Sequence, residues 1–196
     1  MLTIKINGVE YKAKKGSTIL QVCQDHSIFV PTLCNHPDIP PAGNCGICVV
    51  KVNGSNFVLS CSTKIADGMT VETETQEVKS KALEALNSFS DMPLMPFSKE
   101  IEELWYYLRP VRPIRTRPAE KSNGISFDPS LCINCGRCAR ICGEVQCMNA
   151  LDESSHLLSQ NDCIQCGQCT TVCPTGALQE NIYIPKVIQA LSKGKT

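Results

Sequence analysis

Aromatic residues make up only 5% of the 196 residues, too few for a large core built on rings. No apolar run reaches the roughly 20 residues that a membrane-spanning helix needs, so membrane insertion is not expected. Charge of one sign is also missing: Lys and Arg number 19 and Asp and Glu number 19, and the balance stays nearly even along the chain. A nucleic-acid binder would show a dense basic face. A ferredoxin that diffuses freely toward basic partners would carry an acidic surface. Neither is present. The chain has no G-x-G-x-x-G phosphate loop, which argues against a dinucleotide fold, and no Ser-His-Asp or lysine nucleophile setting. The opening stretch MLTIKINGVEYKAKKG has no charged segment followed by an apolar one, so no secretory signal is expected. A reducing, cytoplasmic location is the expectation.

What the chain does have is 14 cysteines. Such a number is compatible with a secreted disulfide framework or with a metal protein. In a reducing compartment thiols stay free and the metal reading prevails. The spacing sharpens it. Cys132-Ile-Asn-Cys-Gly-Arg-Cys-Ala-Arg-Ile-Cys142 recurs 31 residues later as Cys163-Ile-Gln-Cys-Gly-Gln-Cys-Thr-Thr-Val-Cys173. Both are C-x2-C-x2-C-x3-C, and the second ends in Cys173-Pro174. Three thiolates at this spacing fit one loop wrapped round a cubane, with backbone N–H groups near its sulfides. Gly136 and Gly167 stand where a side chain would crowd the cluster or where positive φ is needed. The fourth cysteine starts a following helix and reaches the other cubane. The expected ligands are therefore crossed. One [4Fe–4S] cluster takes Cys132, Cys135, Cys138 and Cys173; the second takes Cys142, Cys163, Cys166 and Cys169. Zinc is the alternative, but its sites usually pair two ligands from each of two knuckles.

Nearer the N-terminus, Cys34-x10-Cys45-x2-Cys48-x12-Cys61 offers four thiolates for a [2Fe–2S] rhomb, with Gly43, Asn44 and Gly46 making a tight loop. The first gap is wider than in the plant-type pattern, and zinc would also accept four such cysteines. Twelve ligands leave Cys23 and Cys147. Cys23 falls on the apolar face of a predicted helix, and both are expected to be buried thiols. Of the three histidines, His26, His36 and His156, only His36 lies close to a predicted ligand, and a solvated loop residue is its expected state.

The patterns between the motifs place them on a fold. Residues 2–6 and 9–13 alternate around Asn7-Gly8, a hairpin turn. Ser17 or Thr18 caps a helix over 19–26, a second hairpin joins 47–52 to 57–60, and a last strand runs over 69–78. Residues 1–78 are thus expected to form a β-grasp domain. Residues 79–121 form a connector, with helices over 79–87 and 98–108, an intervening stretch at 91–97, and a Pro/Arg-rich linker at 109–118. Trp105, Tyr106 and Tyr107 are expected to pack the connector onto a domain. The two-cluster unit spans 122–180, with a hairpin joining 148–151 to 156–158. Residues 181–196 are a tail with a short helix over 185–192, placed to dock on a neighbour or on this chain's own surface. The fold class is α+β.

Three segments carry a resemblance: Thr32-Leu-Cys-Asn-His-Pro-Asp38, Gly43-Asn-Cys-Gly-Ile-Cys-Val49 and Cys135-Gly-Arg-Cys-Ala-Arg-Ile-Cys-Gly-Glu-Val-Gln146. Cys166-Gly-Gln-Cys-Thr-Thr-Val-Cys-Pro-Thr-Gly-Ala-Leu178 continues it. Together they resemble the N-terminal iron–sulfur region of [FeFe]-hydrogenases, of the large iron–sulfur subunit of NADH dehydrogenase (complex I), and of NAD-linked formate dehydrogenases. The resemblance covers residues 1–180. It implies a β-grasp [2Fe–2S] ferredoxin domain followed by a bacterial-type domain with two [4Fe–4S] clusters. The family's connector usually carries a further cubane on a His-x3-Cys-x2-Cys-x5-Cys motif, yet residues 79–131 hold neither cysteine nor histidine, so that cluster is expected to be absent. No hydrogenase or molybdopterin domain follows within the 196 residues. The expected role is a non-catalytic electron-transfer subunit in a hetero-oligomeric NAD(P)-linked oxidoreductase. Candidate hosts are a hydrogenase, a formate dehydrogenase or an electron-bifurcating transhydrogenase, with a flavin- and NAD(P)-binding partner. The rivals are an independent, diffusing polyferredoxin and a redox sensor; the latter would be expected to carry a DNA-binding or effector module.

Overall fold

Strands β1 (Leu2–Ile6) and β2 (Val9–Ala13) pair antiparallel, with Ile6 opposite Val9. Asn7 and Gly8 between them sit at φ 48° and 87°. Two left-handed residues make a type I′ turn, whose twist matches that of the strands it joins. The fold is described here from a computed structural model, over residues 1–88, 99–108, 120–121, 124–151 and 163–193. Helix α1 (Ile19–Asp25) follows the hairpin. Thr18 rather than Ser17 starts it: its Oγ1 accepts from Gln21 N–H at 3.2 Å, while Thr18 N–H donates to Gln21 Oε1 at 2.8 Å. Both ends of this capping box satisfy donors that the first helical turn would otherwise leave open.

Strands β3 (Val49–Val52), β4 (Asn56–Leu59) and β5 (Met69–Glu72) complete a five-stranded sheet in the order β2-β1-β5-β3-β4. Only β1 and β5 run parallel; the other pairs are antiparallel. One face of α1, with Ile19, Val22 and Cys23, packs with Ile4, Ile6, Val50 and Val71 of the sheet in one core. A mixed sheet with a helix laid across it is the β-grasp arrangement.

The expected last strand over 69–78 ends at Glu72, because helix α2 (Gln76–Ser88) begins inside it. Thr75 Oγ1 accepts from Val78 N–H at 3.3 Å, and Glu77 lies in the first turn; a hydroxyl cap and an early carboxylate both favour a helix N-terminus. Val78, Ala82 and Leu86 are buried along this helix. With Leu104 and Leu108 of α3 (Lys99–Leu108), Ala82 and Leu86 form a second core against Leu33, Ile47 and Val49. Tyr107 anchors α3, its ring 5.2 Å from that of Phe29 and its hydroxyl donating to Thr73 C=O at 3.4 Å. Tyr106 is exposed. The side chain of Trp105, residues 91–97, the linker at 109–118 and the turn at 152–155, with the predicted strand 156–158, lie outside the described residues.

The second sheet is antiparallel in the order β6 (Glu120–Lys121), β7 (Ile125–Phe127), β8 (Leu178–Glu180). Ile125 faces Glu180 and Phe127 faces Leu178, so the sheet fastens the start of the first repeat to the end of the second. The expected strand over 148–151 does not form, since Cys147 and Asn149 take left-handed φ of 55° and 51° and break extended backbone on either side of Met148. Short helices α4 (Arg137–Arg140) and α5 (Gln168–Thr171) sit within the two repeats, and a π-helical turn, Ile141–Val145, continues α4. Helix α6 (Ile184–Ser192) follows, with Pro185 in its first turn. Among the described residues no helix is long and apolar enough to cross a membrane.

Candidate metal centres

Cys34, Cys45, Cys48 and Cys61 are 1%, 6%, 1% and 2% exposed. Gly43 and Gly46 bend the loop around Cys45 with φ of 66° and 75°. A Cβ on Gly46 would also lie 3.1 Å from Ala85 Cβ, so α2 backs directly onto this loop. Ser60, fully buried, donates both its backbone N–H (2.9 Å) and its hydroxyl (2.8 Å) to Cys48 C=O, which ties the Cys48 loop to the turn after β4 that carries Cys61. The thiols interact as two hydrogen-bonded pairs. Cys45 holds Cys34 down to about 5 and is itself pushed up. Cys48 likewise lowers Cys61 and is raised in turn. Cys61 also feels the charges of Cys34 and Cys45. His36 turns back into its own loop, where Nδ1 accepts from Asp38 N–H at 3.3 Å.

In the second domain the two repeats build matching loops. Asn134 and Gln165 have φ of 53° and 57°, and Gly136 and Gly167 have φ of 71° and 79°. Each middle cysteine, Cys135 or Cys166, is thus flanked by left-handed residues, and the glycines are required by backbone conformation. Asn134 N–H donates to Cys132 Sγ at 3.5 Å and Gln165 N–H to Cys163 Sγ at 3.4 Å. One partly open cavity is lined by Cys132, Cys135, Cys138 and Cys173. A second is lined by Cys142, Cys163, Cys166 and Cys169. Each therefore gathers three sulfurs from one repeat and a fourth from the other. The π-helical turn carries Cys142 to its cavity; such single turns recur at functional sites. Burial raises Cys138 and pushes Cys169 up to about 12, so protons must leave as metal enters.

All fourteen cysteines are free thiols, which removes the disulfide alternative. Among the described residues no three His, Cys, Asp or Glu side chains converge tightly enough for a single ion. In the second domain the thiols line open cavities, which suits a multi-atom iron–sulfide core better than one tetrahedral zinc. Cys23 is buried as expected, but Cys147 is exposed. Its left-handed backbone at the exit of the π-helical turn takes it out of the core in which it was expected.

Sequence reasoning missed Ser60 and, more consequentially, Arg137 and Arg140. Their side chains are buried, at 1% and 8% exposure, and reach from the second domain into the first. Arg137 Nη2 donates to Asn35 C=O at 2.7 Å, and Arg140 donates to Pro40 C=O at 2.5 Å and to Cys34 C=O. A signal was available in the repeat itself: 31 residues on, the corresponding positions are Gln168 and Thr171, both exposed. The two domains also share apolar packing. Cys135 packs against the core that contains Cys34, Cys45 and Ile133, and Ile39 joins the core that contains Cys138 and Cys169.

Residues 1–76 match the family described as a 2Fe-2S iron-sulfur cluster binding domain, and residues 125–144 and 158–179 match the 4Fe-4S binding domain. The chain is an iron–sulfur protein with one [2Fe–2S] and two [4Fe–4S] clusters. This iron–sulfur protein is 31% identical over 163 residues to the Bacillus subtilis protein named probable oxidoreductase YjgC, a match covering 76% of the chain and 16% of the relative. It is 28% identical over 158 residues to a Staphylococcus haemolyticus protein named as a formate dehydrogenase, SH0748, over 74% of the chain and 16% of that relative. The iron–sulfur protein thus spans only about 16% of the length of these curated relatives. Its fold is similar to a chain in the crystal structure of an NAD+-reducing [NiFe]-hydrogenase in the H2-reduced state. That likeness has a TM-score of 0.73 at 21% identity and covers 92% of this chain and 87% of the other.

Proposed function

We propose that this chain is an electron-transfer subunit of a multi-subunit NAD(P)-linked oxidoreductase, relaying electrons between a flavin- and NAD(P)-binding subunit and a further redox site. One observation carries the proposal. Cys34 and Cys45 of the first domain share one core with Cys135 of the second, and the two cubane cavities each borrow a cysteine from the other's repeat. The three sites therefore adjoin in series, which is what a relay requires. In this proposal Cys34, Cys45, Cys48 and Cys61 hold the [2Fe–2S] cluster. Cys132, Cys135, Cys138 and Cys173 hold the first [4Fe–4S] cluster, and Cys142, Cys163, Cys166 and Cys169 the second.

When bound, the clusters supply one-electron oxidation and reduction. The chain's own residues do the rest. The thiolates fix each site, the Asn134 and Gln165 N–H groups donate toward ligand sulfurs, and Ile47, Leu33 and Leu86 keep water from the first site. Docking to other subunits is supported by α6, where Ile184, Val187, Ile188 and Leu191 are all more than half exposed. Apolar residues at helical spacing in solvent are unusual in a free-standing protein. The names of the relatives support an oxidoreductase host, and the likeness to a chain of an NAD+-reducing hydrogenase supports an NAD(P)-linked one. The test is anaerobic purification of the native assembly. A co-purifying flavoprotein and about ten irons per chain are expected; recovery only as a lone monomer would overturn the assignment.

A further inference from the structure

Arg137 and Arg140 lie on α4, between Cys135 and Cys142, and each crosses to the loop that carries Cys34. Together they take the carbonyls of Cys34, Asn35 and Pro40, while Arg137 Nη1 also donates to Val172 C=O at 3.5 Å. Carbonyls satisfy hydrogen bonds but do not neutralise a cation. Among the described residues no carboxylate pairs with Arg140, and its Nε is buried without an acceptor. A buried cation in that state is costly unless an anion lies near it. The site it touches supplies one, because a cluster bound by four thiolates is anionic and gains a further negative charge on reduction.

We infer that Arg140, assisted by Arg137, is a positioning residue of the [2Fe–2S] site, pinning the Cys34 loop to the first [4Fe–4S] loop and supplying its buried counter-charge. The inference rests on the ligand assignment proposed above. Two consequences separate the fork from the charge. The guanidinium spans two carbonyls at once, which a lysine ammonium does not, so the fork sets how firmly the two sites are held together. The charge favours the reduced form of the nearer cluster, since a cation in a low-dielectric setting stabilises added negative charge.

The experiment is an EPR-monitored redox titration, with microwave power saturation, of the anaerobically purified full chain and of Arg140→Gln, Arg140→Lys and the surface control Lys12→Gln. In R140Q the [2Fe–2S] signal is expected at lower potential, by about tenfold in the redox equilibrium or about 59 mV for one electron. It is also expected to saturate more easily, because the neighbouring paramagnet is less firmly placed. R140K is expected to keep most of the potential and lose the relaxation effect, and K12Q to change neither. An R140Q potential within roughly threefold of the parent equilibrium, with unchanged saturation, overturns the inference. Should R140Q fail to load iron, R140K decides: unaltered saturation there overturns it. A parent protein without a [2Fe–2S] signal would instead overturn the ligand assignment.

Discussion

In the first domain the four cysteines assigned to the [2Fe–2S] site come from three segments spread between Cys34 and Cys61 and are all but sealed from solvent. In the second domain each set of three comes from one short loop, and the sulfurs are more open: Cys132, Cys142, Cys163 and Cys173 are half-buried and Cys166 is exposed. A scattered ligand set needs a scaffold to hold it, and α2 and α3 supply that scaffold through the second core. A local set carries its geometry in its own backbone, in paired left-handed residues around the middle cysteine. The first strategy shelters its cysteines. The second leaves several of them close to solvent, or to whatever surface covers them.

The sharpest way to break the comparison is to cut ligands in pairs. Under the crossed assignment Cys132 and Cys173 serve the same cubane, so the double variant Cys132→Ala with Cys173→Ala should lose about four of about ten irons. If each repeat instead held its own cluster, the same variant would lose about eight. Iron analysis of the reconstituted protein distinguishes the two outcomes. A smaller effect concerns the order of loss. Under air or a chelator the cubane signals should decay several-fold faster than the [2Fe–2S] signal, followed by absorbance and EPR. Leu86→Ala, in the core behind the first site, should cost about 2–5 kcal/mol of stability and bring the decay of the [2Fe–2S] signal toward that of the cubanes. An unchanged order in that variant would mean that the α2 core is not what protects the site.

The same contrast governs what could be read from sequence. The cysteine loops of the two repeats were legible, because cysteine spacing and repeat period are local properties of the chain, and the structure gathers those cysteines around two cavities. So was the β-grasp hairpin, since Asn7-Gly8 dictates its own turn. The start of α2 was missed: Thr73, Thr75 and Val78 are β-branched and suit a strand, and only the Thr75 cap with Glu77 behind it reverses that. Strands β7 and β8 were missed because they are short and pair across more than fifty residues, which no local pattern records. The arginine contacts were hidden for a different reason. A charged side chain inside a polar-looking loop reads as solvated unless the repeat is compared position by position with its partner.

The two cysteines left over from the ligand sets repeat the comparison on a smaller scale. Cys23 sits in the first domain's core at 0% exposure, and burial pushes its thiol up from the ordinary 9.0 to about 11. Cys147, in the second domain, is exposed. A thiolate, not a thiol, reacts with alkylating reagents. Iodoacetamide applied to the intact holoprotein near pH 8 should therefore label Cys147 and spare Cys23, as read by peptide mass spectrometry. The same shift gives Cys23 a signature in stability. The folded chain keeps the proton up to about pH 11 while the unfolded chain releases it near 9.0. Stability from this group is then complete below pH 9 and declines as pH rises through the interval to 11. Cys23→Ala should cost about 1 kcal/mol at neutral pH and flatten that alkaline decline. If the decline persists in C23A, the titrating group lies elsewhere, and the sheltered core of the first domain is not the source of the shift.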